Sequence, residues 1–439
     1  MSYRRHAEMR PSEIEWVHRL PVHWEEKRLR FVADISNSNV DKKTYDDQVS
    51  VRLCNYTDVY YNEVITPDLD FMEATASQAE IKKFGLRAGD VIITKDSEDP
   101  RDIGVPAFVQ EDMPGVVCGY HLSIIRTFDP ITAEYVQFSI MSHLNKARLY
   151  VDTPGVTRFG LDQDTIKNIL VLLPPPDERR QIVRRLRSET AEIDGLIEKK
   201  TRFIALLKEK RAAVITHAVT KGIDPDAPMK DSGVDWLGRV PAHWEVVPPT
   251  ALFTESKERA REGDQMLSAT QKYGVIPLAE YEALEQRQVT MAVVNLNMRK
   301  HVEVGDFVIS MRSMDGGLER ARAVGSVRSS YSVLKPGPDV EGRFYGALMK
   351  SSLYIQALRL TSNFIRDGQD LNFSHVRKVK LPKPDLHEQA AIADHIEAET
   401  ARIDGLIALT ERSIDLLREK RSALITAAVT GKIDVRAAA

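Results

Sequence analysis

The chain has 439 residues, 43% of them hydrophobic and 28% charged, with a formal net charge of −3. That length suits two or three domains, the balance suits an ordinary globular protein, and the acidic sign argues against a general polyanion binder. No apolar run approaches a membrane span, and the first ten residues lack a signal-peptide core, so a cytoplasmic protein is expected.

Residues 1–10 read as a polar, basic tail. A block with Trp16 and Pro21-Val22-His23-Trp24-Glu25 follows, and its two tryptophans are expected to pack rather than face a ligand. From 26 to 173 the apolar runs are short and mixed, as in a small α/β domain with prominent loops. Leu86-Arg87-Ala88-Gly89-Asp90-Val91-Ile92-Ile93 reads as a turn feeding a buried strand, and 116–125 as another strand. Helical spacing runs from 131 to 150, and Thr157-Arg158-Phe159-Gly160 makes a polar turn. The only cysteines, Cys54 and Cys118, lie in strand-like surroundings. Two such thiols make no disulfide framework or thiolate metal cluster and are read as buried.

The next stretch, 174–224, is written twice. At an offset of 210, Glu189-Thr190-Ala191-Glu192-Ile193-Asp194-Gly195-Leu196-Ile197 returns as Glu399-Thr400-Ala401-Arg402-Ile403-Asp404-Gly405-Leu406-Ile407. Glu209-Lys210-Arg211 returns as Glu419-Lys420-Arg421. The Trp/His block itself repeats at an offset of 220, as Trp236 and Pro241-Ala242-His243-Trp244-Glu245. Such a repeat means a pseudo-symmetric protein with two like halves. Ile182, Leu186, Ile193, Leu196, Ile197, Ile204, Leu207 and Val214 fall close to heptad spacing, and the second copy keeps the pattern. Each copy is therefore a long helix entered through Pro174-Pro175-Pro176 or Pro382-Lys383-Pro384, and the pair is expected to form an antiparallel coiled coil. Ile193, Gly195 and Leu196, with Ile403, Gly405 and Leu406, are expected at the helix contact, the glycines marking close approach.

A linker at 225–235 leads to a second globular region, 236–381, and 382–439 carries the second helix and a tail. Val304-Gly305-Asp306-Phe307 repeats the Gly-Asp turn. A loop with Arg312, Ser313, Gly316, Gly317, Arg320 and Arg322 follows, then a strand from Tyr331. A helical stretch at 344–358 leads to the turn Ile365-Arg366-Asp367-Gly368-Gln369-Asp370. The helices repeat closely and the globular regions only in outline, as expected of one scaffold presenting two unlike binding surfaces.

No phosphate-binding loop, dinucleotide fingerprint or amino-methyltransferase tetrapeptide is present. His387-Glu388 lacks the second histidine of a zinc helix, because residue 391 is alanine. Pro67-Asp68 with Glu80-Ile81-Lys82 imitates a nuclease signature that nothing else supports. Charge is more informative. Residues 296–380 carry a net +6, whereas the matching window 86–170 carries −4. A nucleic-acid surface is expected on the second half, and on the first only through particular loops. Candidate contacts are Lys95, Arg101, Tyr120, His121, Arg148 and Arg158 in the first half. In the second they are Arg312, Ser313, Arg320, Arg322, Tyr331, Arg366 and Gln369, where Arg and Gln have donor geometry for guanine and adenine edges.

The paired Pro-x-His-Trp-Glu blocks, paired Gly-Asp turns, Arg366-Asp367-Gly368-Gln369-Asp370-Leu371-Asn372-Phe373 and both Ile-Asp-Gly-Leu-Ile helices resemble the specificity subunit of a Type I restriction-modification enzyme. The resemblance covers nearly the whole chain. It implies two α/β (α+β) target-recognition domains in a pseudo-twofold arrangement, each reading half of a split double-stranded DNA site and joined by two long antiparallel helices. It implies no cofactor, metal or catalytic residue on this chain. S-adenosylmethionine would sit on two modification subunits, and ATP and Mg on restriction subunits. A recognition subunit of another restriction class, or a coiled-coil tethering protein, remain the alternative readings of the same residues.

Overall fold

The structure, a computed structural model, describes residues 3–12, 14, 17–153, 155, 157–289, 298–310, 313–361 and 371–438. It divides into two compact units, residues 1–200 with 412–439, and residues 201–411. Each unit therefore combines one globular region with part of each long helix.

In the first unit a five-stranded sheet runs in the order Ala33–Asn37, Leu122–Thr127, Asp90–Thr94, Pro106–Val109, Val64–Ile65. The central strand Asp90–Thr94 is buried throughout, as its unbroken Val-Ile-Ile run implies. A three-stranded sheet of Val116–Cys118, Val49–Cys54 and Met72–Ala76 lies beside it in the chain's topology, with Cys54 and Cys118 in register and fully buried. The expected single strand at 116–125 is two strands. Gly119 turns between them and donates its N–H to the Cys54 carbonyl at 2.8 Å. The helical stretch from 131 is likewise two helices, Pro130–Met141 and His143–Asp152, because Ser142 caps the second by accepting from the Asn145 N–H.

Among the described residues the second unit builds the same frame with a four-stranded sheet: Phe253–Ser256, Ser332–Pro336, Phe307–Ile309 and Glu319–Arg320. Its Gly-Asp turn is made as in the first. Gly89 and Gly305 hold φ of +87° and +96°, where a side chain would be strained. The buried aspartate closes each turn by accepting a backbone N–H, from Arg87 at 3.0 Å and from Glu303 at 2.9 Å. A cation on the neighbouring strand then neutralises it: Arg126 at 2.9 Å from Asp90, Lys335 at 3.6 Å from Asp306. The paired turns belong to the frame, their aspartates engaged within it.

The long helices are Pro176–Lys221 and Leu386–Val429, of 46 and 44 residues, or about 69 and 66 Å at 1.5 Å per residue. Proline at the start and Asp177 and Glu178 in the first turn favour the first helix's entry. Asp385 caps the second by accepting the Glu388 N–H at 2.8 Å. Gly222 and Gly431, at φ +77° and +68°, end them. Within the first unit Ile182, Leu186 and Ile193 share a core with Leu424, Ile425, Ala428 and Val429. Within the second, Ala218 and Val219 share one with Ile392 and Ile396. The segments run antiparallel in each unit. Glu178 and Asp194 lie by Arg436 and Arg421 in the first, and Arg211 lies 2.9 Å from Asp404 in the second. Asp194–Arg421 and Asp404–Arg211 are the same ion pair under the 210-residue repeat.

Part of the expected helix contact is corrected. Ile193 and Ile403 are buried, but Leu196 and Leu406 are 47% and 39% exposed. A Cβ built on Gly195 or Gly405 meets nothing within 4 Å, so neither glycine serves close packing. Their Ile-Asp-Gly-Leu context turns the isoleucine inward and leaves the next positions on the outer face of the helix.

Trp24 and Trp244 are buried, as expected of packing residues. Trp24 donates its Nε1–H to Glu178 at 3.2 Å. Beside each tryptophan the same contact recurs: His23 lies 2.7 Å from Glu178, and His243 lies 2.8 Å from Glu388. Strand Tyr3–Arg4 pairs with Asp434–Ala438, so the tail after the second helix returns to the start of the repeat as its cyclic order requires. Among the described residues no helix is long and apolar enough to cross a membrane.

Candidate nucleic-acid interface

In the first unit the central strand ends at Thr94 and the chain enters a loop whose Asp96–Ser97 pairs with Phe159–Gly160. That two-residue ribbon carries Arg158 onto the Asp96 loop. Lys95, Tyr120, His121 and Arg158 come together there. The Lys95 ammonium stands 4.7 Å from the Tyr120 ring centre, and the Tyr120 and His121 rings meet edge to face at 4.9 Å. His121 Nδ1 lies 2.7 Å from Asp96 and 3.5 Å from the Arg158 guanidinium. A protonated Nδ1 donates to the carboxylate and has no lone pair left for Arg158, which therefore only packs against the ring. Burial lowers the Lys95 ammonium, which donates to the Ser38 carbonyl at 3.3 Å.

His121 and Arg158 line an open cleft of about 640 Å³. Tyr56, Tyr60 and Tyr61 line its other side from the helix Tyr56–Tyr61, whose Asn55/Asp58 capping box fixes its start. The Tyr56 and Tyr60 rings stack at 5.5 Å. Asp96, Glu98, Asp99 and Asp102 complete the lining. Arg101 does not face this cleft as a free cation. It clasps Asp99 at 2.7 Å and holds that carboxyl down at about 2. Tyr60 donates its hydroxyl to Asp102, a bond that pushes the phenol up to about 12. Arg148 stands apart on helix His143–Asp152, 3.8 Å from Asp152.

The second unit has an open cleft of about 550 Å³ beside the hairpin Leu267–Thr270 and Gly274–Pro277. Tyr331 lines it, with Tyr273 and Tyr281. Its charges are Lys272, Arg287, Arg299 and Arg328 against Glu285. Arg299 is anchored by Ser326, through its Oγ at 2.9 Å and its carbonyl at 2.6 Å. Arg287 donates to the Tyr281 hydroxyl at 2.8 Å, and the exposed Lys272 lies 3.5 Å from Glu285.

The other candidates fare differently. Ser313 is buried and its Oγ accepts the Ser310 N–H at 3.0 Å, which corrects it from a ligand contact to a turn-closing residue. Arg320 is half-buried in strand Glu319–Arg320, packed over Gly342, with no partner for its Nε among the described residues. Arg322 is exposed, on backbone bonded to Val275. Arg312, Arg366 and Gln369 lie outside the described residues.

The chain is 21% identical over 425 residues to the MjaX type I restriction enzyme specificity subunit of Methanocaldococcus jannaschii, covering 95% of each. It is 22% identical over 315 residues to the MjaVIII specificity subunit of the same organism, covering 67% of this chain and 69% of that one. No family model matches. The crystal structure of the HsdS subunit from Thermoanaerobacter tengcongensis superposes with a TM-score of 0.51 at 16% identity, over 95% of this chain and 100% of that one. A chain from a structure described as the basis of complex assembly and conformational transition of the type I R-M system gives 0.64 at 16% identity, over 93% and 98%. The chain has the fold and the full-length likeness of a Type I specificity subunit.

On this specificity-subunit fold, Tyr56, Tyr60, Tyr61, Lys272, Tyr273, Tyr281, Arg287, Arg299 and Arg328 are cleft residues that sequence reasoning passed over. A signal existed for some of them. Tyr56-Thr57-Asp58-Val59-Tyr60-Tyr61 and Gln271-Lys272-Tyr273 interleave aromatic and polar residues as nucleic-acid surfaces do. Arg299 and Arg328 had none, since only the pairing of strand Lys300–Val302 with Gly325–Val327 brings them to one place.

Proposed function

We propose that this chain is the DNA-recognition subunit of a Type I restriction-modification complex acting in the cytoplasm. Each recognition domain, 1–173 and 236–381, reads one half of a bipartite double-stranded site. The long helices set the gap and scaffold two modification subunits, which carry S-adenosylmethionine and methylate adenine. Restriction subunits with ATP and Mg join them. The observation that carries this reading is the same strand frame built twice with unlike, tyrosine-lined clefts. A catalytic protein has no need of two such surfaces, and a tether has no need of one.

Phosphate contacts would position each domain and a few cleft donors would specify bases. In the second domain Lys272, Arg287, Arg322 and Arg328 are exposed cations for that work, with Arg312, Arg366 and Gln369 as further candidates. In the first, Lys95, Tyr120, His121 and Arg158 form the surface. Exposed Leu196 in the first unit and Phe203, Leu206, Leu406 and Leu409 in the second offer apolar helix surface for the modification subunits.

The test is reconstitution. The purified chain with S-adenosylmethionine alone transfers no methyl group and cuts no DNA. Mixed with the modification subunit, it directs adenine methylation to a site of two short sequences separated by a fixed gap. Methyl transfer by the chain alone, or methylation at a single uninterrupted sequence, overturns the proposal.

A further inference from the structure

Beside Trp24 the first unit gathers two histidines and a carboxylate whose arrangement the recognition function does not use. His6 is 6% exposed. Its Nε2 lies 3.1 Å from the Ile433 carbonyl, and a carbonyl only accepts, so Nε2 carries the proton. Nδ1 is then a bare lone pair. It is buried without a hydrogen-bond partner, 4.0 Å from Glu178 Oε1 and 3.9 Å from Asp434 Oδ2. A lone pair turned toward two carboxylates in a buried place is repulsive unless a cation lies between them. The separations are too long for a shared proton in a hydrogen bond. They suit one ion held about 2.0–2.2 Å from each donor, which places ligand atoms no more than about 4.4 Å apart.

We propose that His6 Nδ1, His23 Nε2 and Glu178 form a binding site for a single divalent transition metal of the zinc class. Their ligand atoms all lie within 4.8 Å of one another, a few tenths of an ångström beyond what one such ion spans, so the half-exposed His23 side chain must close onto it. His23 has a 41% exposed side chain, so the site has an entry path and room for water as a fourth ligand. The Nε2–H bond to the Ile433 carbonyl is the outer bond that commonly orients a metal-ligating histidine. Asp434 is held by Arg436 at 2.8 Å, and the Arg436 guanidinium also comes within 3.4 Å of Glu178. Asp434 therefore stays outside the ligand set, and an entering ion must displace from Glu178 both Arg436 and the proton that His23 Nε2 donates to it at 2.7 Å. The ion would tie the segment after Tyr3–Arg4 to the His-Trp block, the start of the first helix and the tail after the second.

The second unit is an internal control. It repeats the histidine–glutamate pair as His243 and Glu388, but the residue in the place of His6 is Asp226. One ion per chain is expected, not two.

The probe is zinc chloride titrated into chelator-treated, tag-free protein by calorimetry, with cobalt(II) absorption as a readout of coordination. Binding of one equivalent, a tetrahedral cobalt spectrum, and a rise in the first unit's Tm of about 5 °C at a hundredfold excess over Kd are expected. His6→Gln should abolish these, His23→Gln should weaken binding at least about tenfold, and His243→Gln should change nothing. If His6→Gln fails to fold, the wild-type cobalt spectrum and His23→Gln still decide. Less than a tenth of an equivalent bound, an octahedral water-like cobalt spectrum, or undiminished binding by the His23 variant overturns the site. None of these readouts depends on DNA recognition, so the outcome is separate from that of the proposed function.

Discussion

The two clefts share a frame and differ in charge. Both open where the strand after a Gly-Asp turn ends, and both are lined by three tyrosines. The first presents Asp96, Glu98, Asp99 and Asp102 beside Arg158 and His121, the second Lys272, Arg287, Arg299 and Arg328 beside one glutamate. Even the matched position inverts, for counting on from Asp90 and Asp306 places Asp96 against Arg312. A frame built of buried strands and closed aspartates tolerates such divergence because Asp90, Arg126, Asp306 and Lys335, which close its turns, do not line the clefts. Specificity can then change without refolding the unit.

The largest expected effect comes from breaking the second cleft. Lys272→Glu with Arg287→Glu should weaken DNA binding by the assembled complex about 100-fold or more at 0.1 M salt, and flatten the dependence of log K on log salt by about two. Arg158→Glu in the first cleft should cost far less. Equal losses from both would show that the charge difference between the clefts does not matter. The comparison can also be sharpened by neutralising the acidic side. Glu98→Gln with Asp99→Asn should tighten binding to unrelated sequences several-fold and steepen the salt dependence, as measured by competition with random duplex.

A stability difference follows from His301, which is buried in the second unit between Asp264 at 2.9 Å and Glu303 at 2.8 Å. Burial lowers its pKa, but the hydrogen bonds to the two carboxylates outweigh that, so it ends above 6.5. A raised folded-state pKa stabilises fully below 6.5 and is lost as pH rises through the folded value. The second unit's unfolding midpoint should therefore fall as pH rises above 6.5 while the first unit's does not. His301→Gln should remove that dependence and cost about 1.5–3 kcal/mol at pH 6. Parallel pH profiles of both units by calorimetry would count against the assignment.

The smallest effect concerns the helices. With open space around both glycines, Gly195→Ala and Gly405→Ala should each stabilise by about 0.5–1 kcal/mol, and by equal amounts. Destabilisation at either would restore a close contact there.

These outcomes trace what was legible in the sequence. The long helices, their antiparallel sense and the buried isoleucines followed from heptad spacing written twice. The Gly-Asp turns followed from glycine's positive φ and a buried strand beyond. Gly195 and Gly405 misled because a mid-helix glycine looks alike whether a neighbour approaches or nothing does. Ser313 misled because a serine beside arginines reads the same from sequence whether it faces solvent or closes a turn. The clefts were only partly legible. Tyr60 and Asp102 are 42 residues apart and Arg299 and Ser326 27 apart, so strand pairing, not local pattern, assembles them.

The most direct test is to map adenine methylation in cells carrying the modification subunit with this chain or with Tyr331→Ala, Arg287→Ala or Tyr120→Ala. The account predicts a two-part methylated motif in which Tyr331 and Arg287 substitutions relax one part only and Tyr120→Ala the other, with the gap unchanged. Substitutions in one cleft that alter both parts, or that leave the motif intact while changing the gap, would contradict the claim that each unit reads its own half.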